Sequence, residues 1–124
     1  MAFAGKWNKV STEGGAAFFA AIGVDEAKAA AAEALVSTEI DEAGDSYVLK
    51  RTYANGASTE QKFTIGQESD FEGPTGNVKA TVNRDGGNLK ASVSGIDASY
   101  AIDGGNFVES WTAGGATFKR ISSK

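Results

Sequence analysis

The chain contains neither histidine nor cysteine among its 124 residues. These absences exclude Ser-His-Asp and Cys-His nucleophiles, His- or Cys-ligated metal centres, imidazole-ligated haem and redox dithiols. No disulfide can form, so stability must come from a packed core or a filled interior. A basic face is missing as well. Twelve Lys and Arg stand against 16 Asp and Glu, a net charge of -4, which argues against a nucleic-acid partner. No apolar run approaches the roughly 18 residues a spanning helix needs. The opening Phe3-Ala4-Gly5-Lys6-Trp7 does not read as a secretory signal. The expectation is a cytoplasmic monomer, one domain over residues 1–124.

Large apolar side chains are also scarce. Hydrophobic residues make up 41% of the chain, but 21 of them are alanine, and 16 further residues are glycine. Two readings follow: a small-residue-rich domain with a thin core, or a shell whose middle its own side chains do not fill.

One region reads as helical. Gly14-Gly15-Ala16-Ala17-Phe18-Phe19-Ala20-Ala21-Ile22 is followed by Gly23-Val24 and then by Asp25 to Ala34. Gly23 suits a helix C-terminus, and Asp25 an N-cap whose oxygen takes an orphan N–H. The spacing predicts two short helices and a tight turn. The second has high helix propensity but an inner face of alanine, so it should dock weakly. Elsewhere turn residues recur every 8–12 positions or so, the signature of an antiparallel meander. They include Gly44-Asp45, Asn55-Gly56, Gly66, Gly73-Pro74, Asp85-Gly86-Gly87-Asn88, Gly95, Gly104-Gly105 and Gly114-Gly115. About ten strands are expected, with Asn77–Arg84 as one of them.

Two of these turns fix a register. If Gly114-Gly115 and Gly104-Gly105 are two-residue hairpin loops, Trp111 faces Phe118, Glu109 faces Arg120, and Phe107 faces Ser122. Ile102 then faces Phe107, Tyr100 faces Glu109, and Ala98 faces Trp111. Opposed residues share a sheet face. The aromatic face, taken as the inner one, therefore carries a phenol, a carboxylate and a guanidinium. Val108, Ser110, Thr112, Thr117, Lys119 and Ile121 fall on the other face.

At this point the chain resembles the intracellular lipid-binding proteins, the family of fatty-acid-, bile-acid- and cellular retinoid-binding proteins. The residues that carry the resemblance are Phe3 to Trp7, Phe18 to Gly23, Lys62-Phe63-Thr64-Ile65-Gly66-Gln67-Glu68, and Phe118-Lys119-Arg120-Ile121-Ser122. It implies an all-β fold, a ten-stranded antiparallel up-and-down barrel (a β-clam of the lipocalin-like superfamily) under a helix-turn-helix lid. It also implies an internal cavity for a long-chain fatty acid or similar amphipath, with no catalysis and no cofactor. Many members end in Arg-x-Tyr, which grips the ligand carboxylate. Here the tyrosine place is Ser122, similar to the liver-type fatty-acid-binding and bile-acid-binding branch. In that branch a hydroxyl residue of the second strand contributes, and its match is Thr38.

Arg120 is the first candidate for ligand contact. A guanidinium keeps its proton, and if buried it needs an anion: Glu109, a ligand carboxylate, or both. Glu109 would compete with a fatty-acid carboxylate, whereas a bile acid or hydroxylated lipid could use Tyr100, Glu109 and Arg120 together. Arg51 is a second candidate. Alternation in Tyr47–Tyr53 groups it with Tyr47, Leu49 and Tyr53, yet a rim arginine reaching water along its stem is the reading preferred from the sequence. Phe18, Leu49, Phe63, Trp111 and Phe118 are candidate cavity walls that would serve equally as core, and Trp7 is expected to close the base. Glu13, Glu68, Asp70 and Glu72 are read as a solvated set rather than an acid pair. The expected partner is a small hydrophobic ligand, with transient membrane contact left open and a structural barrel with a vestigial cavity as the rival.

Overall fold

A computed structural model describes residues 3–73, 76–93 and 95–124. Chain order runs β1 (Gly5–Glu13), α1 (Gly15–Ala21), α2 (Glu26–Glu33), β2 (Leu35–Ala43), β3 (Ser46–Tyr53), β4 (Ser58–Thr64), β5 (Glu68–Gly73), β6 (Gly76–Thr81), β7 (Asn83–Asp85), β8 (Asn88–Val93), β9 (Ile96–Asp103), β10 (Asn106–Ala113) and β11 (Ala116–Ser123). Nine strands form one antiparallel sheet in the order β4-β3-β2-β1-β11-β10-β9-β8-β7, and β5 and β6 form a separate hairpin. β1 therefore joins the two halves of the chain, pairing β2 on one side and β11 on the other.

The sheet curls until its far parts meet. Arg84 of β7 reaches the β2–β3 turn, donating to Asp45 Oδ1 at 3.0 Å and to the Gly44 carbonyl at 3.3 Å. Among the described residues no backbone ladder joins β4 to β5. Side chains bridge that gap instead. Gln61 donates to the Asp70 carbonyl at 2.7 Å, and Phe63 stacks on Phe71 at 5.9 Å.

Among the described residues the strand count is eleven rather than about ten because Asn77–Arg84 is interrupted at Val82. The Val82 carbonyl accepts a hydrogen bond from Gly66 N at 2.8 Å, and its side chain is fully buried. A residue anchored in this way ends one strand and starts the next. The Gly73-Pro74 turn expected between β5 and β6 reaches into residues outside the described set.

The helical pair follows the expected lines. α1 ends in a Schellman arrangement: Val24 N donates to the Phe19 carbonyl at 3.0 Å and Gly23 N to that of Ala20 at 3.2 Å. Gly23 has φ +74°, a value glycine adopts without strain. Asp25 offers its carbonyl to Ala29 N, as an N-cap residue does. α1 buries Phe18 and Phe19 against Phe118 of β11, with ring centroids 6.1 and 5.2 Å away. Among the described residues α2 contributes only Ala29 to that cluster, while Glu26, Ala27, Ala30 and Glu33 are exposed.

Both register-setting turns are two-residue loops. Every expected pair forms: Trp111 with Phe118, Glu109 with Arg120, Phe107 with Ser122, Ile102 with Phe107, Tyr100 with Glu109, and Ala98 with Trp111. Phe107, Glu109, Phe118, Arg120 and Ser122 are buried, and none of the six outward residues is. Glu13, Glu68 and Asp70 are exposed, as a solvated set should be, and the Glu72 side chain lies outside the described residues.

Candidate ligand-binding site

The inner face is layered along the barrel axis, because side chains two apart on a strand stack in successive tiers. The floor is an aromatic cluster around Phe3, Trp7, Ile40, Tyr47, Leu49 and Phe107. Phe3 meets Tyr47 and Phe107 edge-on, and its carbonyl takes the Trp7 indole N–H at 2.9 Å. Glu42 secures this corner by accepting from Phe3 N at 3.1 Å and from the Tyr47 hydroxyl at 2.9 Å. Burial and the Glu42 carboxylate both push the Tyr47 phenol pKa upward. A void of about 10 Å³ remains among these residues, room for one water at most. Trp7 thus closes the base as core. Leu49 and Phe63, expected as cavity walls, belong to this packed floor.

Above the floor lies a charged tier. The same registers that set Tyr100 and Arg120 on either side of Glu109 set Thr38 of β2 opposite Arg51 of β3. Glu109 is fully buried and shared between two guanidiniums. Arg51 Nη2 lies 2.7 Å from Oε1, and Arg120 Nη1 donates to Oε2 at 3.0 Å. Arg51 Nη1 also donates to Thr38 Oγ1 at 3.4 Å. The Arg120 guanidinium lies over the rings of Trp111 and Phe118, at 5.2 and 5.5 Å.

The electrostatics follow from these distances. Burial alone would raise the Glu109 pKa, but Arg51 and then Arg120 outweigh it, so the carboxyl is held below the usual range. Burial works against the Arg51 charge, and Glu109 outweighs it, so the guanidinium pKa is raised. The Tyr100 phenol is pushed up, chiefly by burial. The three ions of the tier carry two positive charges and one negative.

A third tier carries Trp111, which touches both the floor cluster and the lid cluster of Phe18, Phe19, Ala113 and Phe118. Thus Arg51, Thr38, Tyr100, Glu109 and Arg120 come together in one tier, Trp111 and Phe118 cap it, and Phe18 sits above under the lid. Ser122 is on the same face as Arg120 but one step lower, opposite Phe107. It is 1% exposed, and its hydroxyl makes no hydrogen bond among the described residues. The rim reading of Arg51 is overturned, since a carboxylate buried at the centre of the barrel draws its head inward. That pairing is what sequence reasoning missed. Hairpin arithmetic linked Glu109 to Arg120, but Arg51 lies across the barrel, where no turn counts the register. The inward alternation of Tyr47, Leu49 and Arg51 was the available signal.

A curled antiparallel barrel with ions buried at mid-height and a helical pair above defines a class: proteins that hold a guest molecule inside a sheet. Comparison with known proteins narrows it. The model of the Lipocalin / cytosolic fatty-acid binding protein family matches residues 1–124. The chain is 36% identical over 128 residues to a liver-type fatty acid-binding protein of Epinephelus coioides, covering 100% of this chain and 99% of the other. It is 35% identical over 127 residues to fatty acid binding protein 1-B.1 of Danio rerio, covering 100% and 98%. Among solved structures, zebrafish ileal bile acid-binding protein complexed with cholic acid superposes with a TM-score of 0.84 at 35% identity, covering 100% and 99%. The chain belongs to the Lipocalin / cytosolic fatty-acid binding protein family. It is accordingly a binding protein for lipophilic ligands and not an enzyme.

Proposed function

We propose that this chain is a cytoplasmic, monomeric, single-domain carrier that binds a long-chain fatty acid inside the barrel and buffers or transports it. The observation that carries the reading is the buried Arg51–Glu109–Arg120 tier. Two guanidiniums share one carboxylate, and Thr38 and Ser122 add hydroxyls that are themselves buried. A monocarboxylate brings the charge that balances the three ions, through charge-assisted hydrogen bonds suited to arginine. The relatives named for fatty acids support the choice of ligand class. The tail, for which a pocket of several hundred Å³ is typical, lies in this reading between the Trp111 tier and the lid. The lid cluster is lined there by the small residues Ala29, Ala113 and Ala116.

A second reading is a bile-acid-type ligand. It is favoured by the likeness to the cholic acid complex and by Glu109, whose acceptor oxygens can receive a ligand hydroxyl. One titration tests both. The protein is loaded with a fluorescent fatty-acid analogue, and oleate and cholate are added separately. Displacement by oleate at micromolar concentration is expected. Displacement by cholate alone selects the second reading, and no displacement by either favours a structural barrel.

A further inference from the structure

We propose that the two buried arginines have different roles: Arg51, with Thr38, receives the ligand's carboxylate, and Arg120 is a fixed internal counter-ion of Glu109. This rests on the reading that the barrel binds a carboxylate lipid, and it reverses the order in which the sequence ranks the two residues.

Arg120 is already held on two sides. Its side chain is 5% exposed, its Nη1 is committed to Glu109, and its guanidinium lies over two aromatic rings. A flat cation held over rings and tied at one end to a buried carboxylate has little freedom to turn toward a newcomer. Moving it would also leave Glu109 with half its compensation in a buried place.

Arg51 is differently placed. Its side chain is 14% exposed against 5% for Arg120, so it lies nearer to where a ligand can reach. Only its Nη2 is drawn to Glu109. Nη1 meets Thr38 Oγ1 at 3.4 Å, beyond the 2.7–3.2 Å of a good N–H···O bond. The donor is therefore poorly used in a place where donors are costly to leave wanting. Thr38 is fully buried, and its hydroxyl accepts from Arg51 while keeping its own hydrogen to give. Together they offer two donors, one N–H and one O–H, side by side on adjacent strands in register. A carboxylate has two oxygens to match them. It can bind there while Glu109 keeps both ion pairs, which gives two cations and two anions in one tier.

The test compares oleate with methyl oleate, which has the same chain without the charge. In Arg51→Gln, oleate affinity should fall about tenfold or more, the scale of a lost charge-assisted hydrogen bond. Methyl oleate should change little, and Arg51→Lys should recover much of the oleate loss. In the unaltered protein, nuclear Overhauser contacts from the C2 protons of [2-13C]oleate should reach the Arg51 side chain rather than that of Arg120, an arm that needs no variant to fold. Equal losses of oleate and methyl oleate in Arg51→Gln, an unchanged oleate affinity, or contacts to Arg120 instead would each overturn the assignment while leaving the fatty-acid reading in place. If the unaltered protein binds neither lipid, both fall together.

Discussion

Glu109→Gln keeps the shape of the side chain and one acceptor oxygen but removes the charge that two buried guanidiniums share. In the native tier the carboxylate is 2.7 Å from Arg51 and 3.0 Å from Arg120, and fully buried. Removing one partner of a buried pair costs about 3–5 kcal/mol, because the remaining charge stays desolvated without compensation. Here two cations are left facing each other, so the upper half of that range is expected. For a chain of this length about 4 °C of melting temperature corresponds to 1 kcal/mol, so the variant should melt about 16–20 °C lower. Circular dichroism at neutral pH measures this. Saturating oleate should stabilise the variant more than the native protein, since the ligand then supplies the missing anion. The pH dependence gives a second check. The folded pKa of Glu109 lies below its ordinary 4.5, so the unfolded chain binds more protons in that interval and stability rises with pH there. The contribution of Glu109 is complete above the unfolded value and is lost as pH falls from 4.5 toward the folded pKa. The gap between native and variant should therefore narrow in acid. A melting temperature within about 3 °C of native at neutral pH would refute the reasoning.

Three further outcomes are expected. Gly14, at φ +71°, sits where an added Cβ would run into the Thr117 carbonyl, so Gly14→Ala should cost about 2–4 kcal/mol from left-handed strain plus overlap. Gly44→Ala, at φ +62° with open space around it, should cost only about 1–2, and equal urea midpoints for the two would discredit the close contact. Amide exchange should be faster in α2 than in β10 and β11, since α2 adds only Ala29 to a described apolar cluster; equal protection would sink the idea of a loosely docked lid. Ser122→Ala removes a buried hydroxyl that makes no hydrogen bond among the described residues and should leave stability unchanged or raise it by about 1 kcal/mol, whereas a loss of that size would show that the hydroxyl is satisfied.

What the sequence made legible, and what it hid, divides by distance along the chain. The hairpins of β9, β10 and β11 are joined by two-residue Gly-Gly loops, and such a loop sets a register by counting. Six cross-strand pairs followed from it, including Glu109 with Arg120. The helical pair was readable for the same local reason, since caps and propensity act within one or two turns. The interruption at Val82 was not readable. It depends on the Gly66 N–H arriving from a loop sixteen residues earlier, and nothing in Asn77–Arg84 announces that visitor.

The charged tier has the same limit, and it explains why a thin-core composition was ambiguous. Alanine and glycine lower the apolar volume everywhere, but the structure does not spread the deficit evenly. The floor takes five of the twelve rings, Phe3, Trp7, Tyr47, Phe63 and Phe107, and packs to a void of about 10 Å³. The lid cluster sets the small residues Ala29, Ala113 and Ala116 beside Phe18, Phe19 and Phe118. Between the two stand Arg51, Glu109 and Arg120, whose ions must be compensated and cannot be packed away as core. A barrel built only for stability gains nothing from that arrangement, since apolar side chains of similar volume would serve as well or better. Small residues above a buried, cation-rich tier make sense if the upper half has to yield to a guest with an anionic head. On the proposal that Arg51 receives the carboxylate, specificity for an anionic head rests on Arg51 Nη1, which meets Thr38 Oγ1 at only 3.4 Å.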